Sequence, residues 1–191
     1  MSNNVPAMWM RGGTSKGLYF LKNDLPSNKV ERDKFLLSIF GSPDRLQING
    51  IGGGNPLTSK VAIISKSKKP DIDIDYLFLQ VSVDNTLVSD TQNCGNILAG
   101  IAPFAIERGL VKPKYGHDET SVKIYMENTK QMAIASVQTP KGKITYKGET
   151  YIDGVPKPSS PISLEFLNIA GSLCGDLLPT GNQIDNVNGV D

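Results

Sequence analysis

Histidine and cysteine are nearly missing from this chain. Its one histidine, His117, sits in a polar loop, and its two cysteines, Cys94 and Cys174, lie far apart. A single histidine leaves no partner set for Ser-His-Asp hydrolysis or a His-rich metal site. Two cysteines make no disulfide framework, and their spacing fits no zinc motif. A reduced cytoplasm is therefore the expected setting. Net charge is also scarce: 20 Lys and Arg oppose 19 Asp and Glu, leaving +1. That balance offers no electrostatic footing for nucleic acid or an anionic membrane. Long apolar runs are absent too, and Lys and Asn interrupt the N-terminal region. Neither a secretory signal nor a transmembrane helix is expected.

What remains is the composition of a packed domain. Of 191 residues, 39% are hydrophobic and 20% charged, which fits one large or two small domains. The 19 glycines and 12 prolines separate short apolar segments, a pattern of many strands, tight turns and few helices. Runs at 5–10 and 17–21 flank the loop Arg11-Gly-Gly-Thr-Ser-Lys16. A helix is predicted over 28–40, capped by Ser27 and ended by Gly41 and Pro43. Strands are predicted at 60–65, 76–83, 121–126, 132–137, 144–152 and 162–167. A second helix runs from Asn93 as N-cap to about 108. It carries no charge before Glu107, so it is buried on most sides, and Pro103 should kink or shorten it. One helix between strand sets reads as α+β, with a curved sheet wrapped around that helix.

Four stretches carry possible chemistry. In Arg11-Gly12-Gly13-Thr14-Ser15-Lys16-Gly17 the glycine spacing is that of a phosphate loop, but Leu18 stands where the lysine belongs. The alternatives are a polar turn or an anion cradle built from Arg11, Thr14, Ser15 and backbone N–H groups. The glycine-rich loop 50–59 opens into Lys60. That lysine either snorkels to solvent, the commoner fate, or is partly buried and usable as a base. Asp71-Ile-Asp-Ile-Asp75 opens like a calcium loop, but Tyr76 replaces its glycine and Ser82 its closing glutamate, so it reads as a solvated strand face. Asn93-Cys94-Gly95-Asn96 sets a thiol among amides at a helix start. It is either a packed small residue or an activated thiolate. Cys174, in a turn-like segment, is assigned no role.

Together, Met10-Arg-Gly-Gly-Thr-Ser-Lys-Gly17, Gly52-Gly-Gly-Asn-Pro-Leu-Thr-Ser-Lys60, Asn93-Cys-Gly-Asn96 and Pro179-Thr-Gly-Asn182 resemble the PrpF family. Ile162-Ser-Leu-Glu-Phe-Leu167 adds to the likeness. The family comprises 2-methylaconitate, methylitaconate and oxalomesaconate isomerases. The resemblance implies a diaminopimelate-epimerase-like fold of two similar domains, each a curved, mostly antiparallel sheet around a central helix. Residues 1–182 would be the N-terminal domain and 183–191 the start of a linker, with the second domain absent and isomerase activity small or nil. It also implies proton transfer on a small unsaturated polycarboxylate with no metal or pyridoxal phosphate, Lys60 and Cys94 being catalytic. The implied substrate-contacting residues are Arg11, Gly13, Thr14, Ser15, Asn55, Ser59, Asn93, Gly95, Asn96, Thr180 and Asn182. An amino-acid epimerase of the same fold is the competing enzyme, because Cys94-Gly95-Asn96 resembles its first catalytic-cysteine motif. A non-catalytic accessory of an aconitase-like dehydratase is the competing binding role. Exposed cleft surface would also permit self-association.

Overall fold

Period-two burial builds the sheet. In the segment Glu119–Met126 exposed and covered residues alternate, with Thr120, Val122, Ile124 and Met126 turned inward. The computed structural model of the chain describes residues 4–114, 116–167, 176 and 178–189. Cys174 lies outside them. The described strands are β1 (Met8–Gly12), β2 (Ser15–Leu21), β3 (Lys60–Lys66), β4 (Ile74–Val81), β5 (Val88–Ser89), β6 (Glu119–Met126), β7 (Gln131–Gln138) and β8 (Ile162–Leu167). They form one sheet in the order β1-β2-β3-β4-β6-β7-β8, with β5 added against β4. The β2–β3 and β4–β6 pairings are parallel and the others antiparallel. A parallel join needs a long crossover, and the helices lie in these two connections.

α1 (Lys29–Phe40) occupies the first connection and covers one face of β2, β3 and β4. Leu36, Leu37 and Phe40 pack there with Leu18, Phe20, Val61, Ile63 and Leu79. The second connection carries α2 (Gly95–Leu98) and α3 (Ile101–Glu107) on the opposite, concave face. Ile97, Leu98, Ile101, Ala102, Phe104 and Ala105 are fully buried against residues of β2, β3, β4, β6 and β7. Met8 and Met10 of β1 and Leu164 of β8 close over the same cluster. The sheet therefore curls around one helical unit, an α+β half-barrel. Removing the Phe104 ring would cost about 3–5 kcal/mol.

Several local expectations change. Asn28, not Ser27, caps α1: its Oδ1 accepts from the N–H groups of Val30 and Glu31 at 2.9 and 3.2 Å. The central helix is two helices. Pro103 has no N–H to donate to Ala99, and the chain tightens there, with Gly100 N–H bonding to the Ile97 carbonyl at 3.0 Å. Cys94, not Asn93, is the N-cap of α2. The stretch 144–152 is not a strand; it contributes a single bridge, Thr150 to Ser159. β4 starts at Ile74, so Asp71 and Asp73 precede the strand and Asp75 alone of the three lies within it. Among the described residues no acidic or thiol cluster could hold a metal, and no helix is long and apolar enough to cross a membrane.

Candidate functional site

The Arg11–Lys16 segment is a tight hairpin. Gly12 pairs with Ser15 across the ladder, leaving Gly13 and Thr14 as the turn. Gly13 has φ +52°, open to glycine at little cost. A Cβ on Gly12 would run into the Asn96 carbonyl, and one on Gly13 into the Asn96 side chain. The turn thus sits directly on α2. Asn96 locks it in both directions: its Nδ2 donates to Thr14 Oγ1 at 3.1 Å, and its Oδ1 accepts from Thr14 N–H at 3.4 Å. Arg11 Nη1 donates to the Gly13 carbonyl at 2.7 Å, and Nη2 to Ser159 Oγ at 2.9 Å.

These residues open onto a cavity of about 810 Å³. Arg11, Gly13, Thr14, Gly95 and Asn96 form one side, and the segment from Thr150 to Phe166, with Lys157, forms the other. Two cations line it, and no Asp or Glu does. Among the described residues neither Arg11 nor Lys157 is in an ion pair. A confined space with positive charge and no internal counter-ion favours a small anion.

Lys60 stands apart from this cavity, on the same concave face. It pairs with Gly17 on one side and Gln80 on the other, and two residues along β3 lies the core residue Ala62. It does not snorkel: it is 8% exposed, its Nζ donates to Gln80 Oε1 at 2.8 Å, and it lies 5.2 Å from the Phe78 ring centre. Gln80 Nε2 donates in turn to the carbonyls of Ser59 and Pro56 at 2.9 and 3.1 Å. Ser59 is buried, with its hydroxyl placed at 2.9 Å from both Gln47 Oε1 and the Asn55 carbonyl. Asn55 Oδ1 caps the short 3-10 turn Pro56–Thr58 by accepting from Leu57 N–H at 2.8 Å.

Cys94 is half-buried against the concave core, and its side chain caps no backbone N–H. Its own N–H is held by Asn93 Oδ1 at 2.8 Å, while Asn93 Nδ2 contacts Met126 Sδ. Two phenols lie within its electrostatic reach. Tyr19 donates to the Ile97 carbonyl at 2.8 Å. Tyr76 is fully buried with no hydrogen-bond partner for its hydroxyl. Burial pushes both phenols well above their usual range, and the electrostatic influence of the nearby Cys94 adds to it. Ser15 is buried at the hairpin base, its hydroxyl also without a partner. Thr180 and Asn182 do not line the cavity; both side chains hydrogen-bond to the Asp185 carboxylate, at 2.8 and 3.1 Å.

The candidate residues therefore fall into an open group around Arg11 and Asn96, a closed group around Lys60 and Ser59, Cys94 and Asn93 at the start of α2, and a separate turn at Thr180. Gln47, Gln80, Tyr76 and Lys157 were not anticipated. For Gln80 and Tyr76 the inward phase of β4, shared with Phe78, could have served as a signal; Gln47 and Lys157 carry none in sequence.

Comparison with known proteins bears on this geometry. The model for the family described as PrpF protein matches residues 2–190. The chain is 61% identical over 188 residues to the (4E)-oxalomesaconate Delta-isomerase of Novosphingobium sp. (strain KA1), covering 98% of this chain and 52% of that protein. It is 54% identical over 187 residues to the 4-oxalomesaconate tautomerase of Pseudomonas putida, covering 98% of this chain and 51% of that protein. The crystal structure of methylitaconate-delta-isomerase matches with a TM-score of 0.88 and 46% identity, over 96% of this chain and 47% of that one. The chain thus spans about half the length of the curated relatives it matches.

Proposed function

This chain belongs to the PrpF family, and from that premise we propose that it carries one half of an isomerase site for small unsaturated di- and tricarboxylates. The observation that carries the reading is the cavity beside Arg11, with largely apolar walls bearing two cations and no acid. The relatives' names supply the substrate class: oxalomesaconate and methylitaconate for those proteins, with 2-methylaconitate a third member of the same chemistry. The finer fold reading, a diaminopimelate-epimerase-like domain whose mate would close over the start of α2, belongs to this proposal.

The chemistry follows from the substrate. A proton next to a double bond conjugated with carboxylates leaves a delocalised dienolate when removed. One group takes that proton, the double bond shifts or rotates, and an acid returns it. Lys60 and Cys94 are the two groups for this exchange, and no cofactor is needed for it. Gln80 holds the Lys60 ammonium on the concave face. Arg11, with Thr14 fixed by Asn96, binds carboxylate and offsets the developing charge. With half of the relatives' length, this chain alone should turn over little or nothing, because positioning needs both walls.

Calorimetric titration of the 191-residue chain with mesaconate and trans-aconitate tests the binding half. Both acids should bind one to one, at least tenfold weaker in Arg11→Gln. Failure of the wild type to bind either would overturn the reading. Isomerisation by this chain alone, absent in Lys60→Ala, would overturn the half-site part and keep the chemistry.

A further inference from the structure

One wall of the cavity comes from residues 150–163, a stretch with no recognisable motif. It is firmly held nonetheless. Thr150 and Ser159 exchange two backbone hydrogen bonds, both at 3.1 Å, and Ser160 N–H donates to the Tyr146 carbonyl at 3.0 Å. Arg11 then ties this wall to the hairpin through Ser159 Oγ. Into the cavity the wall presents Lys157 together with Ser159, Ser160 and Ser163.

Donor counting shows what the hairpin can hold. Arg11 has five N–H donors and spends two of them, on Gly13 and Ser159. The rest suffice for one bidentate carboxylate. Thr14 and Asn96 spend side-chain groups on each other. A substrate with a further carboxylate needs a second cation. Lys157 is exposed, lines the same space and is in no ion pair among the described residues. Its flexible stem and three rotatable donors suit a point-charge contact on a variable group. A cavity of about 810 Å³ has room for a six-carbon tricarboxylate.

We propose that Lys157 is a specificity-determining residue, the cation that reads the additional carboxylate of a tricarboxylate and sets that class apart from dicarboxylates. The inference rests on the reading above, that this cavity takes the unsaturated acid. The test is titration of the 191-residue chain with trans-aconitate, a tricarboxylate, and mesaconate, a dicarboxylate, at fixed low ionic strength. Lys157→Gln should weaken trans-aconitate at least tenfold and mesaconate less than twofold. Lys157→Arg should retain the preference. Lys112→Gln, an equal charge change away from the cavity, should alter neither affinity. Equal weakening of both acids by Lys157→Gln, weakening of neither, or the same preference lost in Lys112→Gln overturns the role of Lys157 and leaves the cavity reading intact. Wild-type protein that binds neither acid overturns both.

Discussion

The Lys60 end and the Arg11 end of the concave face are built on opposite terms. Around Lys60 polar groups meet one another: Gln80 takes the ammonium, Ser59 and Pro56 take Gln80, and Gln47 takes Ser59 and the Gly54 N–H. Around Arg11 and Lys157 the hydrogen bonds tie the walls together, but two positive charges face a cavity without a negative one. Satisfied buried networks rigidify, while unmet charge is affinity held for a ligand. The first region fixes where the Lys60 amine stands; the second leaves two cations facing open space, as the proposed binding of an acid requires.

The sharpest way to break this contrast is Gln47→Ala. Gln47 is buried, and its amide accepts from Gly54 N–H and Ser59 Oγ at 2.9 Å each while donating to Ser42 Oγ at 3.0 Å. Losing the amide leaves buried groups unmet and a void, so urea unfolding should show a loss of about 3 kcal/mol. A loss below about 1 kcal/mol would mean that the glycine-rich loop holds without this network. Gln80→Leu comes next, at about 2 kcal/mol, because the mostly buried Lys60 ammonium loses its acceptor. Acid binding at the Arg11 cavity should change less than twofold in Gln80→Leu. An equal loss of binding would merge the two regions into one.

The sequence disclosed these regions unevenly, for physical reasons. The strands and the buried helix were legible because period-two runs and an uncharged helix are local signals. Pro103 announced the break between α2 and α3 for the same reason. Ser27 and Asn28 are both good caps, so the cap itself was ambiguous by one residue. The run from Ile144 to Ile152 has strand-like composition, yet its partner is its own return stretch through Ser159, and Pro156 and Pro158 interrupt the ladder. For Lys60 the residues left solvent and partial burial both open, because its burial depends on Gln80, twenty residues away on another strand. Arg11 and Thr14 were legible as parts of an anion cradle and Asn96 as an amide beside Cys94, but not as one cluster; what brings them together is glycine-permitted contact between hairpin and helix. Lys157, one lysine between two prolines, has no sequence signal for facing a cavity.

In the concave core Tyr76 keeps an unpartnered hydroxyl, with the Cys94 thiol in electrostatic reach. An orphan buried hydroxyl costs stability, so Tyr76→Phe should raise it by up to about 1 kcal/mol, seen as a higher midpoint in urea. A lowered midpoint would show that the hydroxyl is satisfied and belongs to the closed network.

The smallest expected effect concerns the cavity adjoining Arg11 on its other side, of about 520 Å³, where an acid is present. There Tyr146 donates to Glu107 Oε1 at 3.2 Å. Burial, and then the Glu107 charge, push the phenol up to about 12. An unfolded tyrosine ionises near 10. The folded state favours the neutral phenol, so this contribution is fully present below about pH 10 and is lost as pH rises through about 12. Tyr146 is 52% exposed, and solvent screening reduces the effect to a fraction of a kcal/mol. Urea midpoints measured from pH 9 to 12 should fall slightly less steeply in Tyr146→Phe than in the wild type. Identical slopes would mean that neither burial nor Glu107 shifts this phenol in the folded state. Acid binding near neutral pH should be unchanged in this variant, because the phenol is uncharged there and does not line the Lys157 cavity. The contrast between the two cavities then reduces to the fixed charges around Arg11, with Glu107 on one side and Lys157 on the other.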